Sequence, residues 1–205
     1  MTKNNTNTKY LFFDIDTQYD FMLPGGNLYV KDAERIISNL KRLTEFAIKN
    51  NIHVFASADS HPKDDPEFER FPPHCLSGSA GNRKIKETYL PNAAVVKYYE
   101  TNPNVDVEKV SGLIFTKNTF DVFSNPSVDE YLNKIKPEEI ILYGVATDYC
   151  VKAAAESLLK RGYSVTLVVN AVKAVDPNTE DEIIKNLLAK GMKTTTTEHI
   201  IENLN

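Results

Sequence analysis

The sequence predicts an α/β fold in which a mostly parallel central sheet lies between two layers of helices, a three-layer α/β/α sandwich. Short apolar runs, typical of strands that are buried on both faces, alternate along the chain with segments whose apolar residues recur at helical spacing. Neither an internal repeat nor a low-complexity tract interrupts this alternation. Strands that alternate with helices pair in parallel through right-handed crossovers, so we expect their carboxyl ends to line one edge of the sheet.

The first predicted elements form a βαβ unit. A near-continuous apolar run ends at Asp16, and the turn-forming residues after it mark the end of the first strand. Apolar residues at helical spacing then predict a helix, and a second apolar run closes at Asp59. The predicted bounds are a strand over 9–16, a helix over 32–50 and a strand over 52–59.

The segment from 60 to about 91 is rich in proline, glycine and charge and follows neither the strand nor the helix period. It contains His61, His74 and Cys75. A segment of this length without regular structure in a compact domain is usually functional, so we expect a loop that contributes to a site.

The second half of the chain continues the alternation. A helix that begins near 148 has its apolar residues on one stripe, and Gly162 stands where a C-terminal cap belongs. Thr179 and Glu182 form the sequence signature of a capping box at the start of another helix, which Gly191 ends. The remaining predicted elements are strands over 93–98, 113–117, 139–146 and 164–172, a helix around 128–135 and a short C-terminal helix.

Length and charge restrict the class of protein. The 205 residues are enough to bury a full core, and we expect a single domain over 1–205. A net charge of -4, with lysines scattered among acidic residues, leaves no basic stripe for nucleic acid or an anionic membrane. The polar start lacks the apolar core of a signal peptide, and no apolar run is long enough to span a bilayer. We therefore expect a cytoplasmic protein with a small-molecule partner, either a monomer or a homo-oligomer.

Three residues at or just after the ends of predicted strands carry the functional groups of a nucleophilic site. Asp16 ends the first strand, Lys117 ends the strand over 113–117, and Cys150 follows the strand over 139–146. Because the carboxyl ends of parallel strands meet at one crevice, we expect an acid, a base and a thiol to converge there. A carboxylate accepts the thiol proton, while an ammonium lowers the thiol pKa and keeps the acid ionised.

Cys150 stands two residues after Asp148, at the predicted opening of a helix, where unpaired backbone N–H groups favour negative charge. This position predicts a thiol pKa below its ordinary value and N–H groups that serve as an oxyanion hole. The local sequence fits a small buried cysteine equally well, just as Lys117 alone fits an exposed strand end and Asp16 alone fits a cap of the next loop. In a reducing compartment we expect Cys75 and Cys150 to be free thiols.

A second group of polar residues predicts a metal site. Asp59 and His61 stand at the end of a strand, and His74 follows thirteen residues later. Glu67 and Glu69 offer further oxygen atoms, so a mixed nitrogen and oxygen set for Zn²⁺, Mn²⁺ or Fe²⁺ is available without a cysteine. By spacing alone, a solvated acidic loop explains the pattern equally well.

These motifs are similar to those of the isochorismatase-like cysteine hydrolase superfamily, and the chain resembles its nicotinamidase branch over nearly its whole length. FDIDTQYDF resembles the first-strand motif that holds the family's catalytic acid, here Asp16, and the family's lysine matches Lys117. The segment GVATDYC, at 144–150, matches the motif that places the nucleophile at Cys150. The resemblance further implies a cis peptide before Ala146 and an oxyanion hole made by the backbone amides of Ala146 and Cys150.

The nicotinamidase branch contains a metal that binds the pyridine nitrogen of the substrate, and its Asp-x-His and Pro-x-His-Cys-x-x-Gly motifs match 59–61 and 72–78. The resemblance implies a divalent metal, zinc in the first place, with manganese or iron as alternatives. Some nicotinamidases have a third histidine where this chain has Glu67, so Glu67 is a ligand by resemblance and Glu69 is the fallback. The implied metal ligands are Asp59, His61, His74 and Glu67.

The aromatic residues that enclose the pyridine ring in the family match Phe21 and Phe71, although ordinary core packing also explains either one. Cys75 matches a family position that is not the nucleophile, and we interpret it as structural. The resemblance implies a metal-containing amidohydrolase that converts nicotinamide and water into nicotinate and ammonia through a thioester on Cys150.

Two other functions fit the sequence. One is a related cysteine hydrolase that acts on another small amide or a carbamoyl compound, because the pocket and not the reacting residues selects the substrate. The other is a non-catalytic metal-binding or nucleotide-binding α/β domain. The spaced glycines of a dinucleotide-binding turn are missing after the first strand, which argues against an NAD-binding fold.

Overall fold

Seven parallel strands form one sheet within residues 7–101 and 103–204, the residues that the computed structural model describes. Every neighbouring pair of strands is parallel, so the predicted parallel sheet is confirmed. Across the sheet the order is β3-β4-β2-β1-β5-β6-β7. The strands are β1 (Asn7–Ile15), β2 (Ile52–Asp59), β3 (Ala94–Val96), β4 (Gly112–Lys117), β5 (Glu139–Val145), β6 (Val165–Lys173) and β7 (Lys193–Thr195).

The order of the strands reverses next to β1. The strands β2, β4 and β3 lie on one side of it, and β5, β6 and β7 lie on the other. In open parallel sheets such a reversal leaves a crevice beyond the carboxyl ends of the strands, where ligands bind. The ends of β1, β2, β4 and β5 all face this crevice, and they carry the residues that the sequence predicted for the site.

Helices cover both faces of the sheet, which confirms the three layers. Leu11, Phe13 and Ile15 of β1 pack into the apolar cluster under α3, α4 and α5, whereas Phe12 packs into the cluster under α1, α2 and α6. This alternation follows the two-residue period of a strand. The helices are α1 (Tyr19–Met22), α2 (Ile37–Lys49), α3 (Ser127–Ile135), α4 (Lys152–Lys160), α5 (Glu180–Ala189) and α6 (Thr197–Asn203).

The element bounds differ from the predicted ones in places. A 3-10 turn over Ala33–Ile36 precedes α2, so the α-helix begins later than predicted. The segment from 60 to 91 contains two 3-10 turns, Pro66–Glu69 and Lys86–Thr88, and no longer helix or strand among its residues, all of which are described, which confirms the predicted loop.

The predicted capping box at α5 is wrong. Thr179 precedes the helix, but its hydroxyl donates a hydrogen bond to Asp176 O at 2.9 Å and does not bond to a helix N–H group. The backbone of Thr179 is also already helical, with φ -95° and ψ -13°, which turns the side chain away from the helix end. Within the described part of the chain, no helix has both the length and the apolar character needed to cross a bilayer.

Gly144 allows β5 to approach the end of β1 closely. Its φ is +119°, and an added Cβ would lie 2.0 Å from Ile15 O. We expect Gly144→Ala to lower the free energy of unfolding by about 3 kcal/mol, because backbone strain and overpacking each cost about 1–3 kcal/mol. Urea denaturation followed by circular dichroism measures the change.

Gly162→Ala is the matched control for this prediction. Gly162 also has a positive φ, +83°, but an added Cβ would meet no heavy atom of the described residues within 4 Å. Only the left-handed backbone conformation then opposes the substitution, at a cost of about 1 kcal/mol. Equal losses in the two variants would contradict the steric explanation for Gly144.

Candidate active site

Lys117 joins two carboxylates and a thiol at the carboxyl edge of the sheet. Its Nζ lies 2.8 Å from Asp16 Oδ2 and 3.5 Å from Cys150 Sγ, and it forms an ion pair with Asp59 Oδ1. Lys117 and Asp16 are both fully buried, so Lys117 is not an exposed strand end. The structure therefore brings together the acid, the lysine and the thiol that the sequence placed at separate strand ends.

Ser57, in β2, holds the carboxylate of Asp16. Ser57 Oγ donates to Asp16 Oδ1 at 2.6 Å and accepts from the backbone N–H of Asp16 at 3.2 Å. Asp16 has a φ of +49°, an unusual conformation for a residue other than glycine, and these two bonds support it. Ser57 was not predicted from the sequence, where its only signal is one hydroxyl within a buried strand.

Cys150 lies in a tight turn between β5 and α4. The Val145–Ala146 peptide is cis, as the resemblance implies, and Thr147–Val151 form one π-helical turn. The last N–H group of this turn bonds to the carbonyl five residues back, so the turn is wider than an α-helical one. The helix predicted to begin near 148 therefore starts with this π-helical turn, and regular α-helical geometry follows from Lys152.

The residues beside Cys150 attach this turn to the loop after β6. The carboxylate of Asp148 accepts hydrogen bonds from the backbone N–H groups of Val175 and Asp176, at 2.9 Å each. Thr147 Oγ1 donates to Glu180 Oε1 at 2.7 Å. The turn that carries the thiol is thus held from two sides.

The surroundings of Cys150 favour the protonated thiol over the thiolate. Burial raises the pKa of Cys150 well above its ordinary value; Lys117 opposes this effect without reversing it, and the carboxylates of Asp16 and Asp59 add to it. The predicted lowering of this pKa is therefore wrong, because it considered the helix end and left out desolvation and the two acids. Formation of the thiolate requires a nearby proton acceptor, and Asp16, Asp59 and Cys150 have their ligand atoms within 4.8 Å of one another.

The two acids beside Lys117 have different pKa values. Burial raises the pKa of Asp16 above its ordinary value despite the lysine. Burial alone would also raise the pKa of Asp59, but Lys117 and two histidines hold it well below its ordinary value. When their surroundings give two carboxyl groups different pKa values, the two groups take different roles in a reaction. Asp16 is suited to exchange a proton, and Asp59 is suited to remain an anion beside a cation.

The raised pKa predicts how Cys150 reacts with an alkylating reagent. Since only the thiolate reacts, we expect alkylation of metal-free protein by iodoacetamide to be slow at neutral pH and to rise about ten-fold per pH unit through pH 9. Residue-specific mass spectrometry after short exposures measures the rate, and urea-unfolded protein is the control, with the ordinary thiol pKa of about 8.5. A rate that levels off below pH 8 in the folded protein would contradict the raised pKa.

Asp59, His61 and His74 form a buried cluster beside the thiol, with their ligand atoms within 4.8 Å of one another. His61 Nε2 lies 3.7 Å and His74 Nε2 lies 3.8 Å from Asp59 Oδ2. Glu67 Oε1 lies 4.0 Å from His74 Nε2, whereas Glu69 is exposed. The geometry therefore favours Glu67 over Glu69 as the fourth member of the cluster.

Backbone hydrogen bonds bring the two histidines together. The N–H of His61 donates to Cys75 O at 3.1 Å, and the N–H of Ser77 donates to His61 O at 2.9 Å. Gln18 holds Asp59 from the other side, because its Nε2 donates to Asp59 O at 2.8 Å and its Oε1 accepts from Asp59 N at 2.7 Å. The thiols of Cys75 and Cys150 are both free, as predicted, and Cys75 is fully buried.

The cluster fits a divalent metal ion. Its two imidazoles and two carboxylates make the nitrogen and oxygen set that suits Zn²⁺, Mn²⁺ or Fe²⁺. Both ring nitrogens of His61 are buried and lack a well-aligned hydrogen bond among the described residues, and an ion would satisfy Nε2, the nitrogen that faces Asp59. His74 Nδ1 lies 2.9 Å from Pro72 O, so its Nε2 remains for the cluster.

One pocket connects the thiol with this cluster. The ring of Phe21 lies 5.5 Å from the ring of His74, and the ring of Phe71 lies 6.2 Å from Phe120 and 6.1 Å from Tyr149. The sequence predicted Phe21 and Phe71 for this pocket. It did not predict Phe120, which comes shortly after Lys117, or Tyr149, which directly precedes Cys150. The pocket is lined by Phe21, Leu28, Val30, Asp59, Glu67, Phe71, His74, Phe120, Val145, Ala146, Tyr149, Cys150 and Val175.

A thiol, an acid and a lysine at the carboxyl edge of a parallel α/β sheet, beside a metal-ligand cluster, define a cysteine hydrolase. The isochorismatase domain model matches residues 10–199, and the chain belongs to the isochorismatase family. The nicotinamidase of Escherichia coli is 27% identical over 82% of this chain and 84% of its own length.

Two solved structures share the fold. The pyrazinamidase of Pyrococcus horikoshii in complex with zinc has a TM-score of 0.78 and 24% identity, over 92% of this chain and 99% of the other. The N-carbamoylsarcosine amidase of Thermoplasma acidophilum has a TM-score of 0.73 and 22% identity, over 93% of this chain and 97% of the other. The names of these two proteins give them different small-molecule substrates, so the shared fold alone does not determine the substrate.

Proposed function

We propose that this protein is a metal-dependent nicotinamidase, which hydrolyses nicotinamide to nicotinate and ammonia. The observation that carries the proposal is an apolar pocket that the thiol of Cys150 shares with Asp59 and His74 of the cluster. A planar ring with one amide and one ring nitrogen matches this pairing. The named nicotinamidase relative adds support.

In the proposed reaction, Asp16 accepts the proton of Cys150 and the sulfur attacks the amide carbon. The backbone amides of Ala146 and Cys150 stabilise the negative oxygen that forms, with Lys117 nearby. Asp16 returns the proton to the leaving nitrogen, the C–N bond breaks, and ammonia departs from a thioester.

Hydrolysis of the thioester completes the cycle. Asp16 takes a proton from a water molecule that attacks the thioester carbon, and the proton returns to the Cys150 sulfur as the acid is released. When bound by Asp59, His61, His74 and Glu67, a divalent metal, which we propose to be zinc with manganese or iron as alternatives, supplies a Lewis acid and a partner for the ring nitrogen. Phe21 and Phe71 are proposed to enclose the ring.

The charge of the pocket favours a neutral aromatic amide over a carbamoyl amino acid. Among the described residues that line it, none is a lysine or an arginine, and Lys117 lies behind the pocket in its ion pairs. Two of the lining residues, Asp59 and Glu67, are acidic. A bound divalent metal would balance these two charges and leave no lysine or arginine of the described lining to pair with a substrate carboxylate, so burial of that carboxylate would weaken binding.

Ammonia release from nicotinamide by zinc-loaded protein tests the proposal. We expect turnover of nicotinamide and pyrazinamide, and turnover of N-carbamoylsarcosine at least about 100-fold lower, because an unpaired carboxylate costs several kcal/mol. Prior treatment with a chelator should lower turnover, and added zinc should restore it. Release from N-carbamoylsarcosine alone would overturn the nicotinamidase proposal in favour of a carbamoyl hydrolase, and release from none of the three would overturn both.

A further inference from the structure

Asp65 is a buried acidic residue in the loop that follows β2. Its neighbour Asp64 is exposed, whereas Asp65 is only 6% exposed and stands at the start of the 3-10 turn Pro66–Glu69. Asp65 Oδ2 lies 3.0 Å from His61 Nδ1, and Asp65 Oδ1 accepts a hydrogen bond from the backbone N–H of Glu67 at 2.9 Å. One carboxylate therefore contacts two of the proposed metal ligands without facing the metal position itself.

The contact with His61 selects one form of its ring. A neutral imidazole carries its proton on one nitrogen and offers a lone pair on the other. His61 Nε2 faces Asp59 Oδ2 within the cluster, so it can bind a cation only if the proton is on Nδ1. The Asp65 carboxylate lies close to Nδ1 without the alignment of a hydrogen bond, and its negative charge favours the tautomer that carries the proton on that nitrogen.

The two histidines are supported in different ways. His74 Nδ1 faces a backbone carbonyl, Pro72 O, which no substitution removes. His61 Nδ1 faces a side chain, and Asn118 Nδ2 adds a hydrogen bond of 3.4 Å to the same oxygen of Asp65. A single substitution can therefore remove the group that contacts His61 Nδ1, but not the carbonyl that contacts His74 Nδ1.

We propose that Asp65 is a positioning residue for the metal site, which holds His61 in the tautomer and orientation that binds the metal. The inference rests on the metal site of the proposed function. It does not depend on which amide is the substrate, because its test measures metal binding.

Asp65→Asn is the main variant. The amide keeps the shape of the side chain, but an N–H₂ donor replaces one of the two acceptor oxygens. This donor group must then face either the Nδ1–H of His61 or the backbone N–H of Glu67, which are both donors as well. We expect the dissociation constant for Zn²⁺, measured by competition with a chromophoric chelator, to rise about 10- to 100-fold. Asp64→Asn, which changes the exposed neighbour in the same way, is the matched control and should leave the constant within about two-fold.

A double variant separates positioning from a general structural role. In a His61→Ala background, where binding is weaker, we expect Asp65→Asn to change the Zn²⁺ dissociation constant by less than about three-fold, because the residue through which Asp65 acts is gone. The midpoint of thermal unfolding of the metal-free Asp65→Asn protein should stay close to that of the parent. A ten-fold effect that persists without His61 would overturn the role toward this ring.

The remaining outcomes are also decisive. Equal Zn²⁺ affinity of the parent and Asp65→Asn would overturn the inference and leave the metal site intact. Loss of the metal-free fold in both Asp65→Asn and Asp65→Ala would assign Asp65 a structural role and overturn the positioning role. A parent protein that binds no divalent metal would overturn the metal site together with the inference, whatever its activity on nicotinamide.

Discussion

Replacement of Cys150 by alanine is expected to abolish ammonia release from nicotinamide, with kcat lowered by about 10⁵-fold or more. The sulfur atom forms the covalent intermediate, and no other described side chain of the pocket offers a nucleophile of comparable strength. Loss of the nucleophile alone commonly removes nearly all of the rate enhancement that the catalytic residues provide together. Steady-state assays at saturating nicotinamide, with ammonia measured by a coupled enzyme, give the change.

Cys75→Ala is the matched control for this experiment, because it removes the only other thiol of the chain. The Cys75 side chain is buried outside the pocket lining, so we expect activity within about three-fold of the parent. Turnover by Cys150→Ala within ten-fold of the parent would show that hydrolysis does not proceed through this sulfur. Zinc affinity serves as the folding check for both variants.

Replacement of Asp16 by asparagine is expected to lower kcat by about 10³-fold while Zn²⁺ still binds. Because burial raises the pKa of Cys150 well above its ordinary value, the thiol needs a base, and general bases contribute about 10²- to 10⁴-fold. The amide of the variant would keep the shape of the side chain but could not accept the proton. Zinc affinity should change little, since the proposed ligands Asp59, His61 and His74 remain.

Asp14→Asn provides the comparison for Asp16→Asn. Asp14 is a buried carboxylate of β1, two residues before Asp16, but its ion pair is with Lys84 at 3.0 Å and not with Lys117. We expect activity within about ten-fold of the parent. Similar losses in the two variants would assign the effect to a buried charge in β1 and would contradict the role of Asp16 as the base.

Much of the site was predictable because each reacting residue follows a strand whose apolar run is plain in the sequence. In a parallel sheet the ends of such strands meet, so Asp16, Lys117 and Cys150 could be assigned to one place without any knowledge of distances. The capping box at Thr179 fails for the opposite reason. A spacing rule cannot register that the Asp176 carbonyl competes for the same hydroxyl.

The supporting residues were harder to predict. Asp65 stands beside Asp64 in one acidic stretch, and only the fold shows that one of them turns inward while the other is exposed. Ser57 and Phe120 have no motif of their own, since they act through contacts with residues distant in the chain. The pKa of Cys150 depends on the sum of burial, one ammonium and two carboxylates, and their balance is a property of three-dimensional distances.

The metal ligands and the reacting residues of this site are distributed differently along the chain. The proposed metal ligands all lie between 59 and 74, one contiguous stretch, whereas the acid, the lysine and the thiol lie at or after the ends of three different strands. Replacement of this one short segment could therefore change the substrate of the protein, while the acid, the lysine and the thiol remain unchanged. Asp59 sets the limit of such an exchange, because its ion pair with Lys117 makes it the point at which recognition and reactivity must evolve together.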